Sequence, residues 1–154
     1  MHELINELVR YHRKKASVLT EIQRLFPAVE KENSNARVAL GIHFESFRSG
    51  DEKAHHRNEE LILHELVIAK HPIHARIERI AEEHIVFDQS VQRLCAEISG
   101  SIEEPAIVIA NVEWFLSQYD DHASNEEAIL FPAADRELSA SGWSRIRRDW
   151  IDLN

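Results

Sequence analysis

The sequence predicts an all-α fold, an antiparallel up-and-down four-helix bundle with a short C-terminal tail. Three observations carry that prediction. Gly and Pro number only 4 each in 154 residues. The usual joint share is about 12%, so turn formers are scarce, and all-β or Gly-rich architectures are disfavoured. Apolar residues recur at three- and four-residue spacing along long stretches, the period of one helix face. The connections between these stretches are short and polar, so successive helices return alongside one another. The length suits one compact domain with its own core.

Each element has its own signal. The first helix extends from about His2 to Phe26 and is expected to stop at Pro27, with Ile5, Leu8, Leu19, Ile22 and Phe26 on one face. On the same stripe, position 12 is His12. Glu30-Lys-Glu-Asn-Ser-Asn35 is a polar turn with good N-cap residues. A second helix carries Val38, Leu40, Phe44 and Phe47, weakens at Gly50, and resumes through Leu61, Ile62, Leu63 and Leu66. His71-Pro72 marks a break, because a residue before proline is pushed out of the α region. In the third helix Ile77, His84, Val91 and Ile98 form one seven-residue series beside Ile80, Phe87 and Leu94. Ser99-Gly100-Ser101 ends it. Glu103-Glu104-Pro105 opens the fourth helix with acids and proline in its first turn. That helix passes Trp114, Phe115, Tyr119, Ile129 and Leu130 until Pro132 disturbs its end. The tail, with Trp143 and Trp150, is expected to be a short helix closing the bundle; the alternative is a docking segment for a partner.

Charge and composition exclude several function classes. Lys and Arg total 18 against 27 Asp and Glu, a formal charge of −9. Phosphate backbones repel such a chain, and no basic stripe offsets the repulsion, so nucleic acid is not an expected partner. The lone Cys95 rules out an internal disulfide and Cys-rich metal sites. No apolar run approaches the roughly 20 residues of a membrane span. The start, MHELINELVRYHRKK, lacks the apolar core of a signal peptide. A cytoplasmic setting is expected, with no membrane partner.

The chemistry sits on the apolar stripes. His12 and His84 stand where a Leu would pack, and a buried polar group needs a partner. The second and fourth helices carry the complement. His55-His-Arg-Asn-Glu59-Glu and His122-Ala-Ser-Asn-Glu126-Glu both place His and Glu four residues apart, one turn along one helix face. The chain thus holds two copies of one unit: a lone seam His, then His-x-x-x-Glu on the following helix. Four imidazoles and two carboxylates meeting in one core suit two transition-metal ions bridged by the carboxylates. Iron, zinc, copper or manganese fit that donor set. The expected ligands are His12, His55, Glu59, His84, His122 and Glu126. His56 competes with His55, since it pairs with Glu60 as His55 pairs with Glu59; alignment with His122 and Glu126 favours His55. Glu60 and Glu127 lie about 100° further round and are expected behind the ligands or in solvent. His43, His64, His71 and His74 are expected outside the centre. Trp114 and Tyr119 are candidate walls of it.

These stretches resemble the hemerythrin-like, His-His-Glu cation-binding domains. The resemblance runs from about residue 4 to 135 and rests on Arg10-Tyr-His12, His55-His-Arg-Asn-Glu59-Glu, Glu82-Glu-His84 and His122-Ala-Ser-Asn-Glu126-Glu-Ala-Ile-Leu-Phe-Pro132. It implies one hemerythrin-like domain over 1–154, with residues 136–154 as an extension. It also implies two iron ions as cofactor and a small ligand (O2, NO or a peroxide). Two departures separate the chain from the oxygen carriers. Those carry a further His four residues before the third-helix ligand, where Ile80 stands here, and a fourth-helix His-x-x-x-x-Asp in place of His122-x-x-x-Glu126. Four His and two Glu are closer to the di-iron proteins of iron–sulfur repair and nitric-oxide stress, although the Cys-containing N-terminal extension of those proteins is not seen. An O2-binding sensor with a separate partner chain is one alternative. Ferritin-like iron oxidation is another, weakened because Glu52-Lys-Ala-His55 has no counterpart before His122. The protein partners left open are a second copy of the chain or a separate protein.

Overall fold

The structure is a computed structural model that describes residues 1–72, 78–100 and 104–153. Among these residues every regular element is helical: α1 (Glu3–Glu30), α2 (Ser34–Glu45), a 3-10 turn (Ser46–Arg48), α3 (Gly50–Ile68), α4 (Ile80–Ser99), α5 (Pro105–Asn125), a π-helical turn (Glu126–Leu130), α6 (Phe131–Glu137) and α7 (Ala140–Asp149). The chain is all-α, with more helices than the four expected. None of them is long and apolar enough to cross a membrane.

The differences have local causes. α1 continues through Pro27 to Glu30. It ends in the left-handed conformation of Glu32 (φ 58°), where Glu32 N–H donates to Val29 O and Asn33 N–H to Ala28 O. That hydrogen-bonded reversal, and not the proline, stops the helix. The expected second helix is two helices, divided by the 3-10 turn and by Ser49, whose side chain accepts from Glu52 N–H and starts α3. Ile77 and His74 lie outside the described residues, and α4 begins at Ile80. Pro132 does not end the fourth stretch. It cannot donate to the carbonyl four residues back, and the ladder shifts register, with Phe131 N–H donating to Glu126 O. The tail forms α7, which packs on α3.

Two apolar clusters frame the molecule. Leu19, Ile22, Phe26, Leu40, Phe44, Phe87, Leu94, Val112 and Phe115 are buried together in one. Leu4, Ile5, Leu8, Ile62, Leu66, Ile80, Leu130, Phe131, Trp143 and Ile146 form the other. On α1, α3, α4 and α5 the buried polar residues other than Glu65 fall in the chain interval between the two clusters. The C-terminal segment is fastened by polar contacts: Asn58 Nδ2 donates to Ile151 O at 2.8 Å and Asn58 Oδ1 accepts from Ile151 N–H at 3.1 Å. Glu7 accepts from Trp150 Nε1 and Leu153 N–H. Arg145 makes a forked pair with Glu65 at 2.7–3.2 Å. Residues 136–153 therefore pack against the helices.

Candidate metal centre

His12 comes from α1, His55 and Glu59 from α3, His84 from α4, His122 from the last turn of α5, and Glu126 from the start of the π turn. All six are buried, Glu59 and Glu126 completely. His12 Nε2 lies 3.1 Å from His55 Nε2, 3.2 Å from Glu59 Oε1 and 3.4 Å from Glu126 Oε2. His84 Nε2 lies 3.2 Å from His122 Nε2 and 3.4 Å from Glu59 Oε2. Glu126 Oε1 lies 3.3 Å from His122 Nε2. Each glutamate thus turns one oxygen to the His12–His55 pair and the other to His84–His122. In each half, two imidazole nitrogens and the two shared glutamates bring four donor atoms within 4.8 Å of one another.

Three of the imidazoles are held from behind. His12 Nδ1 donates to Glu127 Oε1 (2.9 Å), His84 Nδ1 to Glu60 Oε1 (2.9 Å) and His122 Nδ1 to Glu83 Oε2 (2.7 Å). An ionised carboxylate only accepts, which assigns a hydrogen to Nδ1 and turns Nε2 inward. Glu60 and Glu127 are therefore partners of the centre, half-exposed on their outer side. Glu83 was hidden in the sequence, because its role depends on α4 and α5 lying side by side. His55 is the exception: its Nδ1 is buried with no hydrogen-bond partner.

Protonation follows the same geometry. Burial alone would lower the His12 pKa, but the carboxylates of Glu126 and Glu59 outweigh it and hold it at about 11. Burial likewise opposes the charge of His84, which Glu59 and Glu60 raise to about 9, and of His122, which Glu126 and Glu83 raise to about 10. Burial pushes Glu59 up, yet His55, His12 and His84 together hold it well below the usual carboxylate range.

The donor set fits a metal. Glu59 Oε2 and both oxygens of Glu126 are buried with no hydrogen-bond partner. Orphaned anionic oxygens are costly in a core unless a cation faces them. Imidazole nitrogens converge on those same oxygens, and mixed imidazole–carboxylate sets suit borderline transition metals.

The structure separates His55 from His56. His56 turns its ring onto His84 (4.0 Å between centroids, 7° between planes) and places Nε2 3.3 Å from Glu52 Oε1, poorly aligned for a hydrogen bond. Burial lowers its pKa. His43 and His71 are half-buried and His64 is exposed, all apart from the cluster. Trp114 is largely exposed and lines an outer cleft of about 470 Å³ with Arg79, Glu83 and His122. Another cleft, of about 870 Å³ beside Val38, Ile42 and Cys95, touches none of the six residues.

A second buried polar group lies beside the centre. Glu52 accepts from the hydroxyls of Tyr11 and Tyr119, each at 2.8 Å, and pairs with Lys15 Nζ at 2.8 Å. Burial raises its pKa, while His56 and Lys15 together bring it down to about 2. Sequence reasoning missed this group. The available signal was Lys15 on the apolar stripe of α1, between His12 and Leu19.

An all-helical chain whose core closes around two such His/Glu sets is a metal-binding helical protein. Residues 3–135 match the family model of the hemerythrin HHE cation binding domain. That span is most of the chain, and the protein belongs to this family. Neither the curated proteins nor the solved structures give a match.

Proposed function

We propose that this chain is a non-haem di-iron protein that binds or reacts with O2, NO or peroxide, serving oxidative or nitrosative stress or iron handling. In this reading His12 and His55 would hold one iron, His84 and His122 the other, and Glu59 and Glu126 would be shared between them. The observation that supports it is the two-sidedness of the glutamates, each with one oxygen toward either histidine pair. We read the whole chain as one cytoplasmic domain, with α1, α2 plus α3, α4 and α5 as four members of an antiparallel bundle.

When bound, two iron ions supply one-electron redox steps and open positions for a small ligand, chemistry that no side chain here performs. The protein's own residues do the rest. Glu127, Glu60 and Glu83 keep three Nε2 lone pairs turned inward. Phe131 beside His12 (5.7 Å) and Phe87 beside His122 (5.1 Å) pack against the imidazoles. Six side chains, two of them shared, do not fill two coordination spheres. Ile80, in the place of an oxygen carrier's extra His, is packed into the apolar cluster one turn before His84.

The test is anaerobic reconstitution with iron(II), then elemental analysis and optical spectra on exposure to O2 or NO. About two irons per chain are expected, with spectral changes for both gases, and removing O2 does not restore the starting spectrum. One iron or none refutes the dinuclear reading. A spectrum restored by removing O2 turns the assignment to a reversible oxygen carrier.

A further inference from the structure

His55 differs from the other three imidazoles of the centre. Their Nδ1 atoms are each fixed by a carboxylate, whereas the His55 Nδ1 has no acceptor. A ring without that tether can rotate about its χ2 torsion, which is broad for histidine, and its lone pair then loses its aim. What meets the His55 ring instead is the face of Tyr11, 4.3 Å away between centroids and 26° between planes. Tyr11 in turn is tied down at its far end, since its hydroxyl donates to Glu52 Oε2 at 2.8 Å.

Glu52 is itself immobilised. It is 1% exposed, and Lys15 Nζ pairs with it while donating to Ser46 O at 2.7 Å. Its other oxygen accepts from Tyr119 and faces His56, whose ring lies flat on His84. One buried carboxylate thus stands behind a ring stack in each half of the centre.

We propose that Tyr11, anchored by Glu52, is a positioning residue that sets the ring plane of His55 where the other three imidazoles use a carboxylate. The inference rests on the metal reading of the six residues. Tyr11 touches the ring of His55 and no other residue of the six by stacking, so its effect falls on the His12–His55 half. Tyr119 supplies the comparison. Its hydroxyl donates to the same carboxylate at the same distance, but among the described residues its ring contacts Phe47, Phe87 and Phe115 and no histidine.

The experiment is anaerobic titration of the full chain with cobalt(II), reading affinity and the visible d–d spectrum, for the unmodified protein, Tyr11→Phe, Tyr11→Leu and Tyr119→Phe. Circular dichroism and melts of each metal-free protein accompany it. The unmodified protein takes up two ions. Tyr11→Leu weakens one of the two by about tenfold or more, the range seen when a ligand's orienting partner is removed, and alters the d–d bands of that ion alone. Tyr11→Phe, which keeps the ring but cuts its anchor, shifts the same ion in the same direction by less; it carries the test if Tyr11→Leu does not fold. Tyr119→Phe lowers the melting temperature without moving either affinity. Equal losses in Tyr11→Phe and Tyr119→Phe would show that the network only stabilises the fold, and overturn the inference. So would variants whose spectra and affinities superimpose on those of the unmodified protein. If the unmodified protein takes up no cobalt, the metal reading fails first and the positioning role with it.

Discussion

Replacing Glu126 by Gln keeps the shape of a completely buried side chain and removes its charge. The carboxylate lies 3.4 Å from His12 Nε2 and 3.3 Å from His122 Nε2, so it serves both halves of the centre. Unit charges at that separation interact by about 5 kcal/mol at an effective dielectric of about 20. Removing one partner of a buried ionic set costs about 3–5 kcal/mol. Carried into metal binding at about 1.4 kcal/mol per tenfold, that is a loss of roughly two to three and a half powers of ten. Glu127 is the control. It accepts from His12 Nδ1 on the outer side, and its side chain is 42% exposed. Gln at 127 still offers an amide oxygen to that N–H, and solvent screens the lost charge, so its effect stays near the lower end of about 10–100-fold. Competition between each variant and a chelator for iron(II), followed by elemental analysis, measures both. Equal losses, or a larger loss in Glu127→Gln, would refute the assignment of inner and outer carboxylates.

Further outcomes follow from the same geometry. Chelation lowers the melting temperature, because a metal that binds only the native state stabilises it by mass action. That difference grows as pH rises from 6 toward 9. His12, His84 and His122 have raised pKa values in the metal-free fold, so their pairs with Glu59, Glu126, Glu60 and Glu83 stabilise it fully below about 6.5 and fade through about 9–11, while at low pH the bound protons compete with metal. Melts at several pH values, with and without chelator, check the trend, and a difference that shrinks as pH rises contradicts it. Trp143→Ala removes a buried ring stacked on His2 at 3.8 Å. It should cost about 3 kcal/mol in urea denaturation with iron content unchanged, since all six centre residues lie outside α7; loss of iron would show that the C-terminal segment also shapes the centre.

Local pattern was enough for much of this protein. The scarcity of Gly and Pro and the three-four spacing of apolar residues determined an all-helical chain, because helix periodicity is a property of one stretch at a time. The repeated His-x-x-x-Glu and the two histidines on apolar stripes singled out the six residues that the fold brings together, since a polar group on a buried seam is visible without knowing what it faces. Boundaries were less legible. Pro27 and Pro132 looked like ends, but the first helix runs past Pro27 to a hydrogen-bonded reversal at Glu32, and a π turn at Glu126–Leu130 carries the fourth stretch past Pro132 to Glu137. The choice between His55 and His56 also needed the fold, because neighbours on a helix differ by about 100° in direction and only the packing of α1 and α4 on α3 says which direction is inward. Glu83 behind His122, and the Lys15–Glu52–Tyr11 group behind His55, join residues from different helices across a buried interior. No spacing within one helix encodes such contacts; they exist only once the helices have packed and the charges have lost their water.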